Sequence, residues 1–244
     1  MRIVKYVYSG ILVIGVLIAC SFVTGCAGMM DLEKINNRQD EPLRFLALGD
    51  SYTIGTGVES HQRWPVQLAD SLRESGFDVE EPLIIARNGW TTGDLLDGIA
   101  DAEINGSFDF VSLLIGVNNQ YRGYPESEYR VEFRKLLKIA GEYAGGRLDR
   151  VVVLSIPDWG AAPFAEGLDR SEIGAEIDAF NAINREETEL AGAHYLDVTP
   201  LSRRVLAEPE LAVDDGLHLS GEMYQMWARM VLDLVAPVIR GEQG

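Results

Sequence analysis

The segment Arg150-Val151-Val152-Val153-Leu154-Ser155-Ile156 is the clearest strand signal in this chain of 244 residues. Its apolar residues follow one another without polar alternation, which is typical of a strand buried on both faces of a parallel sheet. Four similar runs predict further strands at Leu43 to Leu48, Leu83 to Ala86, Phe110 to Ile115 and His194 to Val198. Five strands of this kind indicate a sheet that is covered on both sides.

Longer amphipathic segments occupy most of the gaps between these strands. Helices are predicted at Val66 to Arg73, Ser127 to Tyr143, Glu172 to Leu190 and Gly221 to Ile239. Alternation of strands and helices along a chain is typical of a parallel sheet with helices on both faces. We therefore predict a three-layer α/β/α domain over residues 43–244, with functional residues at the carboxyl ends of the strands.

The composition is that of a folded, acidic protein. Apolar residues make up 47% of the chain and charged residues 24%, which supports a packed core and excludes a largely disordered chain. The length suits one sizeable α/β domain. Because the formal net charge is -17 and nucleic-acid binding normally requires a basic surface, we expect no nucleic-acid partner.

The first 25 residues have the layout of a secretory signal peptide. Arg2 and Lys5 form a short basic start, an apolar run follows from Ile11 to Ala19, and small residues precede Cys26. The apolar run is short for a membrane-spanning helix. We predict a signal peptide over residues 1–25. The polar, aperiodic residues beyond it predict a tether over residues 26–42.

Val23-Thr24-Gly25-Cys26 resembles the bacterial lipobox, in which the cysteine becomes the lipidated first residue of the mature protein. The resemblance implies an exported lipoprotein, held at a membrane of the cell envelope by acyl chains such as palmitate on Cys26. Leu17-Ile18-Ala19-Cys20 fits the same loose pattern, so Cys20 remains an alternative. No cysteine follows Cys26, which excludes an intramolecular disulfide framework and a cysteine metal site in the predicted domain.

A serine directly follows the first predicted strand, in the run Gly49-Asp50-Ser51-Tyr52-Thr53. A serine at a strand end can present its hydroxyl at the top of the sheet, and a helix that starts there directs free backbone N–H groups toward an anion. The run differs from the G-x-S-x-G elbow of α/β-hydrolases, because Thr53 replaces the last glycine. Taken alone, Asp50 and Ser51 would suit a helix N-cap.

The segment before the last predicted helix supplies partners for this serine. Asp215 and His218 are three residues apart in Asp214-Asp215-Gly216-Leu217-His218, a spacing at which carboxylate and imidazole can form a hydrogen bond on a turn. A serine nucleophile needs a base, and the base needs a carboxylate to fix its tautomer. His61 and His194 lack a carboxylate three residues before them. His218 is therefore the predicted base.

Together these residues resemble the blocks of the GDSL, or SGNH, hydrolase family. Gly49-Asp50-Ser51-Tyr52 matches the GDSx signature, and Asp215-x-x-His218 matches the terminal D-x-x-H block. Gly116-Val117-Asn118-Asn119 stands where the G-x-N-D block belongs. The blocks keep the family order from Phe45 to about Val238. The resemblance implies a flavodoxin-like sheet of five parallel strands, which agrees with the strand count above.

The resemblance also implies roles for individual residues. Ser51 would be the nucleophile, His218 its base and Asp215 the carboxylate that orients His218. The Asn118 amide and the backbone N–H of Ser51 would bind the oxyanion. Asn119 replaces the usual aspartate of the G-x-N-D block, and we expect this change to affect loop structure more than the oxyanion donor.

A second backbone donor is expected from the Gly block of the family. The run Asn88-Gly89-Trp90-Thr91-Thr92-Gly93-Asp94, after the second strand, resembles this block. We predict Gly93 as the donor because a Gly-Asp pair at the end of the block fits the family best, and Gly89 remains the alternative. The resemblance implies no metal and no cofactor.

These features predict a serine esterase that hydrolyses carboxylic esters, with acetyl and other short-acyl esters preferred. Its partners would be a small-molecule or lipid ester and the membrane that holds the anchor, with no obligate protein partner. Lysophospholipase or thioesterase activity is an alternative, as is a lipoprotein that binds or tethers without catalysis. Specificity would depend on the loops Gln120 to Glu126 and Asp158 to Asp169. The second loop has the composition of a mobile apolar flap or of a packed loop.

Overall fold

The computed structural model describes residues 41–242. The predicted signal peptide at residues 1–25, the alternative lipidation residues Cys20 and Cys26, and most of the predicted tether at residues 26–42 lie outside the described residues. Within the described range, no helix is long and apolar enough to cross a membrane.

The centre of the described chain is a sheet of five parallel strands. The strands are β1 (Phe45–Gly49), β2 (Leu83–Ala86), β3 (Phe110–Leu114), β4 (Val151–Leu154) and β5 (His194–Leu196). Their order across the sheet is β2-β1-β3-β4-β5, and each neighbouring pair is parallel. This is the flavodoxin-like strand order. The predicted fold class is therefore confirmed.

Eight α-helical segments lie between or after these strands in the described part of the chain. They are α1 (Ser51–Ile54), α2 (Trp64–Glu74), α3 (Thr92–Asp101), α4 (Val117–Tyr121), α5 (Glu126–Tyr143), α6 (Arg170–Ala191), α7 (Thr199–Ser202) and α8 (Gly221–Arg240). Helices α2 and α8 pack together on one face of the sheet, and α3, α5 and α6 form the other layer. The four predicted helices correspond to α2, α5, α6 and α8.

Burial explains why the apolar runs form strands. Every residue of β1, β3 and β4 is buried between the helix layers, whereas β2 and β5 at the sheet edges are only partly buried. Four strands are shorter than predicted: β1 begins at Phe45, β3 ends at Leu114, β4 runs only from Val151 to Leu154, and β5 ends at Leu196. Strand β4 begins at Val151 because Leu148–Arg150 forms a 3₁₀ turn, and β5 ends at Leu196 because Val198 caps α7.

The register of the two central strands determines where the site forms. Gly49 at the end of β1 pairs with Leu114 at the end of β3, so both strands end at the same level. These strands flank the point where strand order reverses, which is where flavodoxin-like sheets form a crevice. A Cβ atom on Gly49 would lie 2.2 Å from Thr53 Oγ1 and 2.5 Å from the Leu114 carbonyl oxygen, so the tight exit from β1 requires glycine.

Candidate active site

The two sides of the crevice come from the segments that follow β1 and β3. Ser51 is the first residue of α1, and the N-cap Asp50 accepts the backbone N–H of Tyr52 through Oδ1 at 3.0 Å. Asn118 is the second residue of α4. Because β1 and β3 are neighbours with level ends, the residues that follow them meet at one edge of the sheet. The structure thus brings Ser51 and Asn118 together as predicted residues of one site.

Asp215 and His218 form a direct pair. The distance between His218 Nδ1 and Asp215 Oδ2 is 2.6 Å, and Asp215 Oδ1 accepts the backbone N–H groups of Leu217 and His218 at 2.8 and 2.9 Å. Burial alone would raise the pKa of the Asp215 carboxyl, but these hydrogen bonds hold it below its usual value. An ionised carboxylate at Nδ1 requires the proton on that nitrogen, which leaves Nε2 as the proton acceptor.

Ser51, His218 and Asn118 line one cleft of ≈170 Å³. The other lining residues are Tyr52, Asn88, Val117, Tyr121, Trp159, Phe164 and Leu217. Both Ser51 and His218 are buried, with 4% and 6% of their surfaces exposed. Within the described residues Ser51 Oγ and His218 Nε2 make no hydrogen bond to each other, and such catalytic hydrogen bonds are often long in unliganded enzymes.

Larger clefts elsewhere do not offer comparable chemistry. Three clefts of ≈390, ≈400 and ≈460 Å³ in the described chain contain neither serine nor histidine in their walls. The smaller cleft is therefore the candidate active site, because it combines a hydroxyl nucleophile with a base.

The Asn118 side chain is oriented by a backbone carbonyl. Its Nδ2 atom donates to the Trp90 carbonyl oxygen at 2.9 Å. A carbonyl oxygen only accepts hydrogen bonds, so the amide nitrogen must face it, and an amide nitrogen has two protons to donate. One proton binds the loop after β2, and within residues 41–242 the second has no acceptor, so it can donate to a group in the cleft.

The two glycines of the Gly block, Gly89 and Gly93, lie in different surroundings. Gly93 lies in the first turn of α3, where an added Cβ would face the Glu132 carboxylate at 3.5 Å, and it is not among the described residues that line the cleft. Gly89 follows the cleft residue Asn88 and has a φ of +81°. Neither glycine is among the described lining residues, but Gly89 adjoins one of them whereas Gly93 faces α5, so the geometry favours the alternative Gly89 over the predicted Gly93.

Asn119, the residue that departs from the family block, is fully buried beneath the same loop. Its Oδ1 accepts the Thr92 backbone N–H at 3.0 Å, and its Nδ2 donates to Thr92 Oγ1 at 2.7 Å. The Thr92 hydroxyl then donates to Glu132 at 2.5 Å. These contacts join α4 to the start of α3, which agrees with the expected effect on loop structure.

One side of the cleft is an aromatic wall formed by Tyr121, Trp159 and Phe164. The Tyr121 and Phe164 rings lie edge-on to the Trp159 ring at centroid distances of 5.4 and 6.1 Å. Trp159 Nε1 donates to Gln120 at 2.7 Å, which fixes the indole at the centre of the wall. The two predicted specificity loops thus meet at the cleft.

Three other residues that line the cleft were given no role in the site by the sequence: Asn88, Val117 and Leu217. Val117 and Leu217 lie next to block residues, so their proximity could have been inferred from Asn118 and His218. Asn88 begins the run that resembles the Gly block, so its proximity could have been inferred from that run.

The fold and the residue blocks at its carboxyl edge define a hydrolase built on a flavodoxin-like sheet. The chain belongs to the GDSL-like lipase/acylhydrolase family, whose sequence pattern matches residues 47–226. It is similar to an arylesterase from Vibrio mimicus, with 26% identity over 185 residues that cover 75% of this chain and 83% of that protein. The predicted family is confirmed, and the chain is an enzyme that hydrolyses ester bonds.

Solved structures share the fold at low sequence identity. The psychrotrophic esterase EstA from Pseudoalteromonas sp., in a structure inhibited by monoethylphosphonate, is 16% identical with a TM-score of 0.61. That comparison covers 81% of this chain and 98% of EstA. An acetylxylan esterase from Geobacillus stearothermophilus is 18% identical with a TM-score of 0.61, over 79% of this chain and 94% of that structure.

Proposed function

We propose that this enzyme is a serine esterase in which Ser51, His218 and Asp215 act as a catalytic triad. The observation that supports the triad best is that Ser51 shares one small cleft with His218, which is paired through Nδ1 with Asp215. His218 Nε2 takes the Ser51 proton as Oγ attacks the ester carbonyl carbon. His218 then protonates the leaving alcohol, and water releases the acid from the acyl-enzyme by the same steps in reverse order.

Three donors are proposed for the oxyanion. They are the backbone N–H groups of Ser51 and Gly89 and the second Nδ2 proton of Asn118. No hydrogen-bond acceptor occupies the Ser51 or Gly89 N–H within the described residues. The loss of one donor of this kind typically lowers turnover by about 10²- to 10³-fold.

The size of the cleft favours a small acyl group. A volume of ≈170 Å³ is below the roughly 300–1,000 Å³ of typical ligand pockets. An acetyl or short acyl group would fit in this space beside Asn118, and the remainder of the ester would extend outward.

The aromatic wall favours a flat or apolar alcohol portion. Tyr121 and Phe164 are 58% and 46% exposed at the mouth of the cleft, so a leaving group would contact both rings. Stacked or edge-on aromatic contacts add about 0.5–1.5 kcal/mol to simple burial. Aryl esters of short acids are therefore the proposed substrates, a choice that the similarity to an arylesterase supports. Lysophospholipids are the second candidate, because the same exposed rings could receive an acyl chain.

Activity on a soluble ester tests this proposal. Hydrolysis of p-nitrophenyl acetate is expected for the wild type and should be lost in Ser51→Ala, because no other group supplies the attacking oxygen. Ser75→Ala is the matched control, since this exposed serine lies at the end of α2. An inactive wild type would support a binding lipoprotein instead, and an active Ser51→Ala would exclude Ser51 as the nucleophile.

We also propose export and lipid anchoring through Cys26, on the basis of the lipobox resemblance. Cys26→Ser should move the protein from the membrane fraction to the soluble fraction without loss of activity on soluble esters. Metabolic labelling with a palmitate analogue should mark the wild type and miss this variant. Label that persists in Cys26→Ser but disappears in Cys20→Ser would place the anchor at Cys20.

A further inference from the structure

The backbone that presents the proposed Gly89 donor has little internal support. Gly89 is the third residue of a turn that is closed by a 3.3 Å hydrogen bond from the Trp90 N–H to the Arg87 carbonyl. A positive φ at this position is the geometry of a type II turn, which glycine accepts without strain. The same freedom lets a glycine peptide rotate easily. Something outside the turn must therefore hold its N–H in one direction.

Side chains from α4 and its C-cap supply that support. Asn118 Nδ2 donates to the Trp90 carbonyl at 2.9 Å, and Arg122 Nη2 donates to the Gly89 carbonyl at 2.6 Å. Arg122 is the C-cap residue of α4, one turn after Asn118. The carbonyl groups of two consecutive peptides are thus held from one short segment.

The Arg122 guanidinium also reaches the far side of the turn. Its Nη1 atom lies 3.8 Å from Asp94 Oδ2, and Asp94 in turn accepts the backbone N–H and the hydroxyl of Thr91 at 2.9 and 2.8 Å. Charge-assisted hydrogen bonds of the kind that Arg122 makes to Gly89 are stronger and better oriented than neutral ones. Arg122 therefore links Gly89 to the first turn of α3.

We propose that Arg122 is a positioning residue that holds the Gly89 backbone N–H at the oxyanion of the reaction. It is not among the described residues that line the cleft, so it acts without contact to the substrate. By holding the Gly89 carbonyl it fixes the peptide that follows Gly89, and the Gly89 N–H, which belongs to the preceding peptide, is restrained through the Cα that the two peptides share. This inference rests on the proposed esterase mechanism. Since a displacement of about 1 Å in a catalytic group can cost roughly 10²-fold in rate, loss of the guanidinium should affect turnover more than binding.

Steady-state kinetics on p-nitrophenyl acetate test the proposal. Arg122→Ala should lower kcat by about 10- to 100-fold while KM stays within about twofold, as expected when only the transition state loses stabilisation. Arg122→Lys keeps one cationic donor for the Gly89 carbonyl and should recover part of kcat. Arg229→Ala, an exposed residue of α8, is the charge-matched control and should match the wild type.

A double-mutant cycle then shows whether Arg122 acts through Gly89. Gly89→Ala strains the turn directly, so Arg122→Ala should add little to its effect if both changes disturb one donor. Three outcomes would overturn the role of Arg122 and leave the triad proposal standing. They are additive effects of the two substitutions on kcat, an unchanged kcat in Arg122→Ala, and a change in Arg122→Ala that is confined to KM. A kcat loss that follows a fall in Tm, without recovery in Arg122→Lys, would also overturn it. No hydrolysis by the wild type would overturn both proposals.

Discussion

The Asp215 carboxylate lies 2.6 Å from His218 Nδ1 although 44% of the Asp215 side chain is exposed, whereas 8% of the His218 side chain is. Burial therefore does not hold this carboxylate in place. Its second oxygen accepts two backbone N–H groups of the segment that contains His218, so the turn itself fixes the carboxylate.

This geometry distinguishes Asp215 from its neighbour Asp214. Asp215→Asn should lower kcat on p-nitrophenyl acetate by about 10⁴-fold, the loss typical when a triad carboxylate is neutralised and the imidazole tautomer changes. Asp214→Asn is the matched control. Asp214 is exposed and makes no hydrogen bond to His218 within the described residues, so kcat should remain near the wild-type value. A larger loss in Asp214→Asn would show that the wrong carboxylate has been assigned.

Acyl chain length should reveal the depth of the cleft. Across p-nitrophenyl esters of two to sixteen acyl carbons, kcat/KM should be highest for acetate or butyrate and should fall as the chain lengthens. The reason is that burial gains about 0.8 kcal/mol per methylene only where a wall exists to receive it, and the cleft has ≈170 Å³. If kcat/KM is highest at eight acyl carbons or more, a lipid ester is the better candidate for the substrate.

The aromatic wall should favour aromatic alcohols. Phe164→Ala should lower kcat/KM for phenyl acetate by about threefold to tenfold, since an edge-on ring contact contributes roughly 0.5–1.5 kcal/mol, and should change ethyl acetate less. Leu190→Ala, which removes an apolar group that is 73% exposed on α6, is the control and should change neither rate. Equal losses on both esters would mean that Phe164 supports the site without contacting the alcohol portion.

Asp50, the residue before the proposed nucleophile, should make stability depend on pH. It is fully buried, and its Oδ2 has no hydrogen-bond partner in the described residues. Burial raises the pKa of this carboxyl to about 7, although the Tyr52 N–H opposes the shift. An unfolded aspartate has a pKa of about 3.9. Between these values the folded state keeps a proton that the unfolded state has lost, so stability falls as pH rises.

Urea unfolding at several pH values between 4.5 and 7.5 tests this prediction. The quantity compared is the free energy of unfolding of the wild type minus that of Asp50→Asn. The difference should change with pH by at most about 1.4 kcal/mol per unit, with the wild type losing stability relative to the variant as pH rises. Asp149→Asn is the control, because the Arg147 hydrogen bond lowers the pKa of Asp149 in the folded protein, and an unfolded aspartate, with a pKa of about 3.9, is also largely ionised over this range. If the difference in free energy of unfolding between wild type and Asp50→Asn does not change with pH, Asp50 is ionised in the folded protein.

The sheet could be predicted from the sequence because its central strands are buried on both faces. A short, continuous apolar run such as Val151 to Leu154 is typical of a strand in that position. Helix α3 could not be predicted, since Gly93 and Gly98 lower helix propensity and its stability depends on a capping box between Thr91 and Asp94 and on packing against α5. Strand β4 begins later and β5 ends earlier than predicted, because a 3₁₀ turn precedes β4 and a short helix follows β5.

The residues of the proposed triad could be singled out in the sequence because two of them lie close together and histidine is rare in this chain. Asp215 and His218 lie three residues apart, and few histidines compete with them. The sequence favours Gly93 over Gly89, whereas the structural argument for Gly89 depends on its positive φ and on its neighbour in the cleft, which spacing does not encode. Arg122 shows no sequence pattern, since its proposed role arises from contacts between the loop after β2 and the segment that follows β3.

Covalent labelling is the most direct test that Ser51 is the nucleophile. The protein is incubated with a serine-directed phosphonate, and its intact mass and peptide map are measured alongside those of Ser51→Ala. We expect one adduct per chain, located on Ser51, with loss of ester hydrolysis in proportion to labelling and no adduct on the variant. An adduct on another serine, or equal labelling of Ser51→Ala, would contradict the proposed mechanism.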